Sequence, residues 1–198
     1  MREGTRSPAK SIATAATFIR LDRAQVMGRA PLRAYCVRMG SLLDTVAGLP
    51  VHSLVVHAVV VLVPLVALGA ILMAVWPSFS RRFGTLIVIV GGGAAAASLV
   101  AKESGEQLAM RVGTPLPHAD LGNLMPLFAG TLFVVLLVFW LFDRGIPMNR
   151  PRPPWLKVLA AVLVVVALAA IAWTFRVGHS GSEAVWKPII ENTTPAAG

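Results

Sequence analysis

Four histidines carry most of the chemistry available to this chain. His52 and His57 open one long apolar run, His118 stands just before another, and His179 follows the last. Carboxylates lie beside them: Glu103 and Glu106 in "AKESGEQL", Asp120 in "LPHADLG" and Glu183 in "RVGHSGSEAVW". Neutral imidazole is a common ligand of haem iron, zinc and copper, and a neighbouring acceptor orients it by taking its second N–H. Two histidines facing across a helix bundle can hold haem at both axial positions. Three histidines with a carboxylate can hold zinc or copper.

Helix geometry separates the four. His52 and His57 are five residues apart, about 140° around a helix and roughly 7.5 Å along it, so a regular helix cannot aim both at one point. With a helix start near Val51, His57 is the deeper and is expected to face inward; His52 is expected to cap or line the surface. The expected cofactor set is therefore haem b on His57 with His118 or His179, and His52 as its outer member. The alternative is zinc or copper on His57, His118, His179 and Asp120. Glu103, Glu106, Glu183 and Ser180 would orient the ligands, and Gly178 and Gly181 would let backbone approach a ring or a propionate. A third reading has no cofactor, with histidines placed where polarity is cheap. No catalytic residue is assigned. "GHSGS" (178–182) lacks the final glycine of a hydrolase nucleophile elbow and follows an apolar run rather than a strand. The Glu-x-x-His pair of di-iron bundles is missing. The single cysteine, Cys36, excludes an internal disulfide and a cysteine-pair metal site.

These residues are positioned by a very apolar chain. Its 198 residues are 56% hydrophobic and 14% charged, with mean hydropathy +0.73, the composition of an integral membrane protein. Four apolar runs, about 51–75, 84–101, 121–142 and 156–177, are each long enough to cross a hydrocarbon core of about 30 Å as helix. Backbone polar groups in lipid must be satisfied internally, which favours helices. The expected fold is all-α, an integral membrane four-helix bundle over 48–187, with a basic, disordered extension at 1–47 and a flexible tail at 188–198. Trp76, Trp140 and Trp155 fall at one expected interface, Trp173 near the other, and Trp186 beyond it. "GGGAAAAS" in the second run presents small residues four apart, which let helices approach closely. Pro64 is expected to kink the first span. No ionisable group lies near the middle of any run, which argues against a pump working across the whole bilayer and confines function to one face.

The loops after the first and third runs carry Arg81, Arg82, Arg144, Arg150, Arg152 and Lys157 against Asp143 alone. The positive-inside rule places them in the cytoplasm and the histidine face outside. Residues 1–47 oppose this with Arg2, Arg6, Lys10, Arg20, Arg23, Arg29, Arg33 and Arg38. A start at or near Met39 removes the conflict and is the favoured reading.

The blocks "GLPVHSLVVHAVVVLVPL", "ESGEQL", "HADLG" and "VGHSGSEAVW" resemble the signature of a bacterial, actinobacterial-type four-span membrane family of unknown function. The resemblance runs from about Gly48 to Trp186, and Ser53 departs from the proline many members carry there. It implies four membrane helices and no established activity. Related domains joined to Rieske or cytochrome c modules imply a redox association. The expected function is a redox-associated protein of the bacterial cytoplasmic membrane that binds haem b or a metal at its extracytoplasmic face. The alternative is a non-catalytic anchor or accessory subunit that docks a partner protein. Expected partners are the lipid bilayer and a redox protein, and no nucleic acid; the oligomeric state stays open.

Overall fold

The computed structural model describes residues 45–46, 48–113, 116–147 and 149–193. Of the basic extension only residues 45–46 are described, and Met39 lies outside the described residues. Strand β1 (Thr45–Val46) pairs antiparallel with β2 (Leu49–Pro50), Thr45 opposite Pro50 and Val46 opposite Leu49. Between them Gly48 sits at φ +80°, a conformation that favours glycine. Helix α1 (Val51–Val75) follows at once and runs unbroken through Pro64. Helix α2 spans Pro77–Val112, and the short α3 spans Leu116–Asn123. Helix α4 spans Met125–Asp143 and α5 spans Pro154–Glu191. Proline in the first turn of α2, α4 and α5 costs nothing there, because those N–H groups have no partner within the helix.

The four long helices form an all-α bundle. Going round it, α1 packs on α2, α2 on α4, α4 on α5, and α5 back on α1, with α1 and α4 diagonal. Its centre is filled by Val63, Val66, Ala70 and Met73 of α1, Leu132, Leu136 and Phe139 of α4, and Leu156, Leu163 and Ala167 of α5. Helix α2 contributes small residues. A Cβ added at Gly91 would lie 3.3 Å from both Val66 and Leu136, whereas one at Gly93 would meet nothing. The inner face of the "GGGAAAAS" segment is therefore Gly91, Ala94 and Ser98, and its outer face is open.

The outside of the bundle is equally apolar. Val61, Leu65 and Leu68 of α1, Leu86 and Ile89 of α2, and Val162, Val165 and Leu168 of α5 are all exposed. Four helical segments are long and apolar enough to cross a membrane: Val51–Val75, Pro77–Val112, Pro117–Asp143 and Pro154–Glu191. The second and fourth exceed their apolar runs. At 1.5 Å per residue, helices of 36 and 38 residues reach about 54 and 57 Å, against about 30 Å of hydrocarbon. Their polar ends remain helical because "KESGEQLAMR" is rich in good helix formers and no proline interrupts before Pro188. The last helix thus carries past the boundary expected at 187.

Candidate functional site

The inner residues of each long helix recur at spacings of three and four, and this seam decides which polar residues meet at the histidine end. On α1 the seam passes through Val59, Val63, Val66, Ala70 and Met73. Extended back seven residues from Val59 it reaches His52, about 20° away in helical phase; His57 lies about 160° away. On α2 the buried Ser98 leads seven residues on to Gly105, and on α5 the buried Thr174 leads to Gly181. The seam thus ends in one histidine and two glycines.

The imidazoles lie on those glycines. A Cβ at Gly105 would sit 3.0 Å from Cε1 and Nδ1 of His52, and one at Gly181 would sit 3.0 Å from Cε1 of His118. The Nδ1 of His52 donates to the Ala101 carbonyl of α2 at 2.9 Å. The same carbonyl accepts from the buried Ser104 hydroxyl at 3.2 Å. His118, on α3, places Nδ1 3.2 Å from the Ser180 hydroxyl oxygen of α5. The two rings stand edge to face at 73°, with centroids 6.3 Å apart. Indole N–H of Trp173 donates to the Leu121 carbonyl at 3.1 Å and its ring stacks on Phe128, which ties the His118 helix to α5.

The hydrogen-bond partners set the tautomers. A carbonyl only accepts, so Nδ1 of His52 carries the hydrogen and Nε2 of the neutral ring carries the lone pair. The Ser180 hydroxyl gives its hydrogen to the Val177 carbonyl at 2.9 Å, so its oxygen accepts from Nδ1 of His118, and the same carbonyl also accepts from the His118 ring. Both rings are therefore held through Nδ1–H and offer Nε2, the arrangement in which histidine ligates metals.

The other expected residues are placed elsewhere. His57 is exposed, and its Nδ1 bonds to the Ser53 carbonyl of its own helix. His179 is exposed, lies 3.9 Å from Glu183 and stacks on Phe175. Glu103 and Glu106 surround Lys102, at 3.8 and 2.6 Å from its Nζ. Asp120 is exposed. The structure thus reverses the expected order of the α1 histidines: His52 faces inward and His57 outward, because helical phase and not depth sets the direction. His57, His118 and His179 are not brought together, and no group of three or more His, Cys, Asp or Glu poised for a metal occurs among the described residues. Ser180, expected as an orienting residue, does contact His118. Sequence reasoning missed the Ala101 carbonyl, Ser104 and the part played by Gly105. The signal was a glycine inside "ESGE", seven residues beyond the inner face of the small-residue segment.

The opposite end of the seam is also polar. Ser80 of α2 and Asp143 of α4 continue their inner stripes and are each 2% exposed. The Ser80 hydroxyl donates to Asp143 at 2.6 Å. Arg152 grips the same carboxylate through Nε at 2.8 Å and Nη2 at 3.0 Å. It also donates to the Met73 carbonyl at 2.8 Å and to the Ala74 carbonyl, the free acceptors at the end of α1.

No curated protein and no solved structure matches the chain. The blocks that form the histidine end, "ESGE" and "GHSG" among them, fall inside one family match covering residues 48–194. Four apolar helices and a match over most of its length make this chain a member of the family described as predicted membrane protein (DUF2231).

Proposed function

We propose that this protein is a redox-associated subunit of the bacterial cytoplasmic membrane whose ligand site is the His52–His118 pair. One observation carries the reading: two imidazoles from different helices meet at 6.3 Å, each fixed through Nδ1–H and each offering Nε2. Haem iron, zinc and copper take this donor from histidine. The residues fit such a group in donor type and number of helices. Haem takes one or two axial ligands from the protein, and a pair suffices for both positions, whereas structural zinc takes four and catalytic zinc three. A pair without a third ionisable partner among the described residues therefore favours haem b over zinc or copper. When bound, haem would supply one-electron chemistry. The chain's own contribution is to hold His52 on Ala101 and His118 on Ser180, and to keep side chains off the rings at Gly105 and Gly181.

The positive-inside rule supports a topology with the arginine loops in the cytoplasm and the histidine pair outside, near a redox partner there. A reporter fused after Gly198 tests this: the account expects it outside, and a cytoplasmic signal contradicts it. A second reading, an accessory subunit that docks a partner, draws on a different observation. Met110 and Val112 of α2 and Val185, Trp186, Ile189 and Ile190 of α5 are exposed beyond the apolar runs. A visible spectrum and elemental analysis of purified protein, from cells supplied with haem and metals, separate the two. The account expects a haem absorption band. Protein with neither haem nor metal contradicts it and leaves the docking reading.

A further inference from the structure

At the arginine end, beside the Ser80–Asp143–Arg152 cluster, lies a cavity of about 430 Å³ lined by Ser80, Arg81, Thr85, Trp140 and Arg144. We infer that it is a binding site for the phosphodiester headgroup of an anionic phospholipid, independent of the histidine pair.

The charges point to an anion. Arg81 donates one guanidinium N–H to the Arg144 carbonyl at 3.0 Å, and four of its five N–H groups have other directions to serve. The Arg144 guanidinium lies over the Trp140 ring, 4.6 Å from its centroid. Both cations are thus held at the wall of one cavity, and neither forms an ion pair among the described residues. Asp143 is the only acid at this end among the described residues, and Ser80 and Arg152 already occupy its oxygens. Two guanidinium side chains lining one cavity without a carboxylate favour an anion between them. Phosphate suits them because guanidinium donates to its oxygens in parallel pairs. The Thr85 hydroxyl supplies a further donor.

The surroundings point to a lipid. The cavity opens between α2 and α4 at the end of the apolar region, where headgroups lie. Exposed Ile89, one helical turn along α2 from Thr85, offers an apolar path for acyl chains. Basic pockets between membrane helices at the cytoplasmic level are suited to anionic headgroups. The pocket floor is built for its shape: a Cβ at Gly84 would lie 2.5 Å from Cδ1 and 2.7 Å from Nε1 of Trp140, so only glycine lets the indole settle there.

The test uses the full chain in detergent, titrated with dioleoyl phosphatidylglycerol, dioleoyl phosphatidylcholine and inorganic phosphate. The inference expects phosphatidylglycerol to bind at least about tenfold more tightly than phosphatidylcholine, which is about 1.4 kcal/mol. Arg81→Gln with Arg144→Gln removes the preference, and Arg82→Gln, at the same end but outside the cavity, keeps it. Should the double variant fail to fold, Thr85→Leu fills the cavity with every charge in place and is expected to lower phosphatidylglycerol affinity by a similar factor. Equal binding of the two lipids, an Arg82→Gln loss as large as that of the double variant, or unchanged affinity in Thr85→Leu overturns the inference. Inorganic phosphate binding as tightly as phosphatidylglycerol overturns the lipid assignment in favour of a free anion.

Discussion

One seam of inner residues runs the length of this bundle and ends in polar groups at both extremities, but the two ends are built on different physics. At the arginine end Asp143 and Arg152 form a buried ion pair, with Ser80 and the last carbonyls of α1 completing its hydrogen bonds. At the histidine end the inner groups are imidazoles and hydroxyls, the ion pairs are on the surface, and each imidazole is hydrogen-bonded to a neighbouring helix. A buried ion pair with both carboxylate oxygens occupied and four of five guanidinium N–H groups used has little left to offer a ligand. Two imidazoles with an unspent lone pair do. The inner residues of the arginine end are thus committed to locking, leaving any binding there to the outward Arg81 and Arg144, whereas at the histidine end the proposed ligands are the inner residues themselves.

The largest effect is expected where the lock is broken. Arg152→Ala leaves a carboxylate buried without its partner and exposes the α1 carbonyls, at a cost of about 3–5 kcal/mol. Unfolding in detergent should show it as a large fall in midpoint or as failure to recover folded protein; a near wild-type midpoint would mean the end is not locked by this pair. Arg152→Lys should rescue little, because an ammonium cannot make the same two-pronged contact.

A smaller effect is expected from closing the glycine seats. Gly105→Val and Gly181→Val drive a side chain into an imidazole and should cost about 1–3 kcal/mol of overpacking while displacing the ring. Gly93→Ala, on the same helix as Gly105 but facing open space, is the control. It should be neutral or stabilise by up to about 1 kcal/mol. Equal midpoints for Gly105→Val and Gly93→Ala would remove the seat from the account.

Ser180→Ala should cost about 1 kcal/mol, the net worth of one hydrogen bond, by taking the hydroxyl acceptor from Nδ1 of His118. Histidine ¹⁵N spectra should show that nitrogen changing and Nδ1 of His52 unchanged; a change at His52 alone would contradict the pairing. The smallest effect is expected from Glu106→Gln. Its ion pair with Lys102 is on the surface and should leave the unfolding midpoint unchanged. A fall comparable to that of Arg152→Ala would erase the distinction between the two ends.

The four spans were legible because runs of apolar residues long enough to cross a bilayer are hard to place in any other structure. Helix ends were less so. Hydropathy registers where lipid stops, not where hydrogen bonding stops, so the polar ends of α2 and α5 lay beyond the expected runs. The identity of the inward histidine turned on phase. Depth along α1 favours His57; the inner stripe through Val59, Val63 and Val66 favours His52, and in a span apolar all round that stripe has no contrast against lipid. Trp140 shows the same limit: it was expected as an interfacial anchor, and it is half-buried on Gly84 because a glycine on the facing helix leaves room. Asp143 and Arg152 were visible only as loop charges, since nothing in their spacing shows that a turn will bring one under the other.

The most direct test of the central claim compares four single variants. Haem and metal content and the visible spectrum would be measured for His52→Ala, His118→Ala, His57→Ala and His179→Ala, each purified beside the wild-type protein. The account predicts that the first two lose or shift the bound group, while the last two match the wild type. Retention in His52→Ala together with loss in His57→Ala would contradict it and return the site to the outer face of α1.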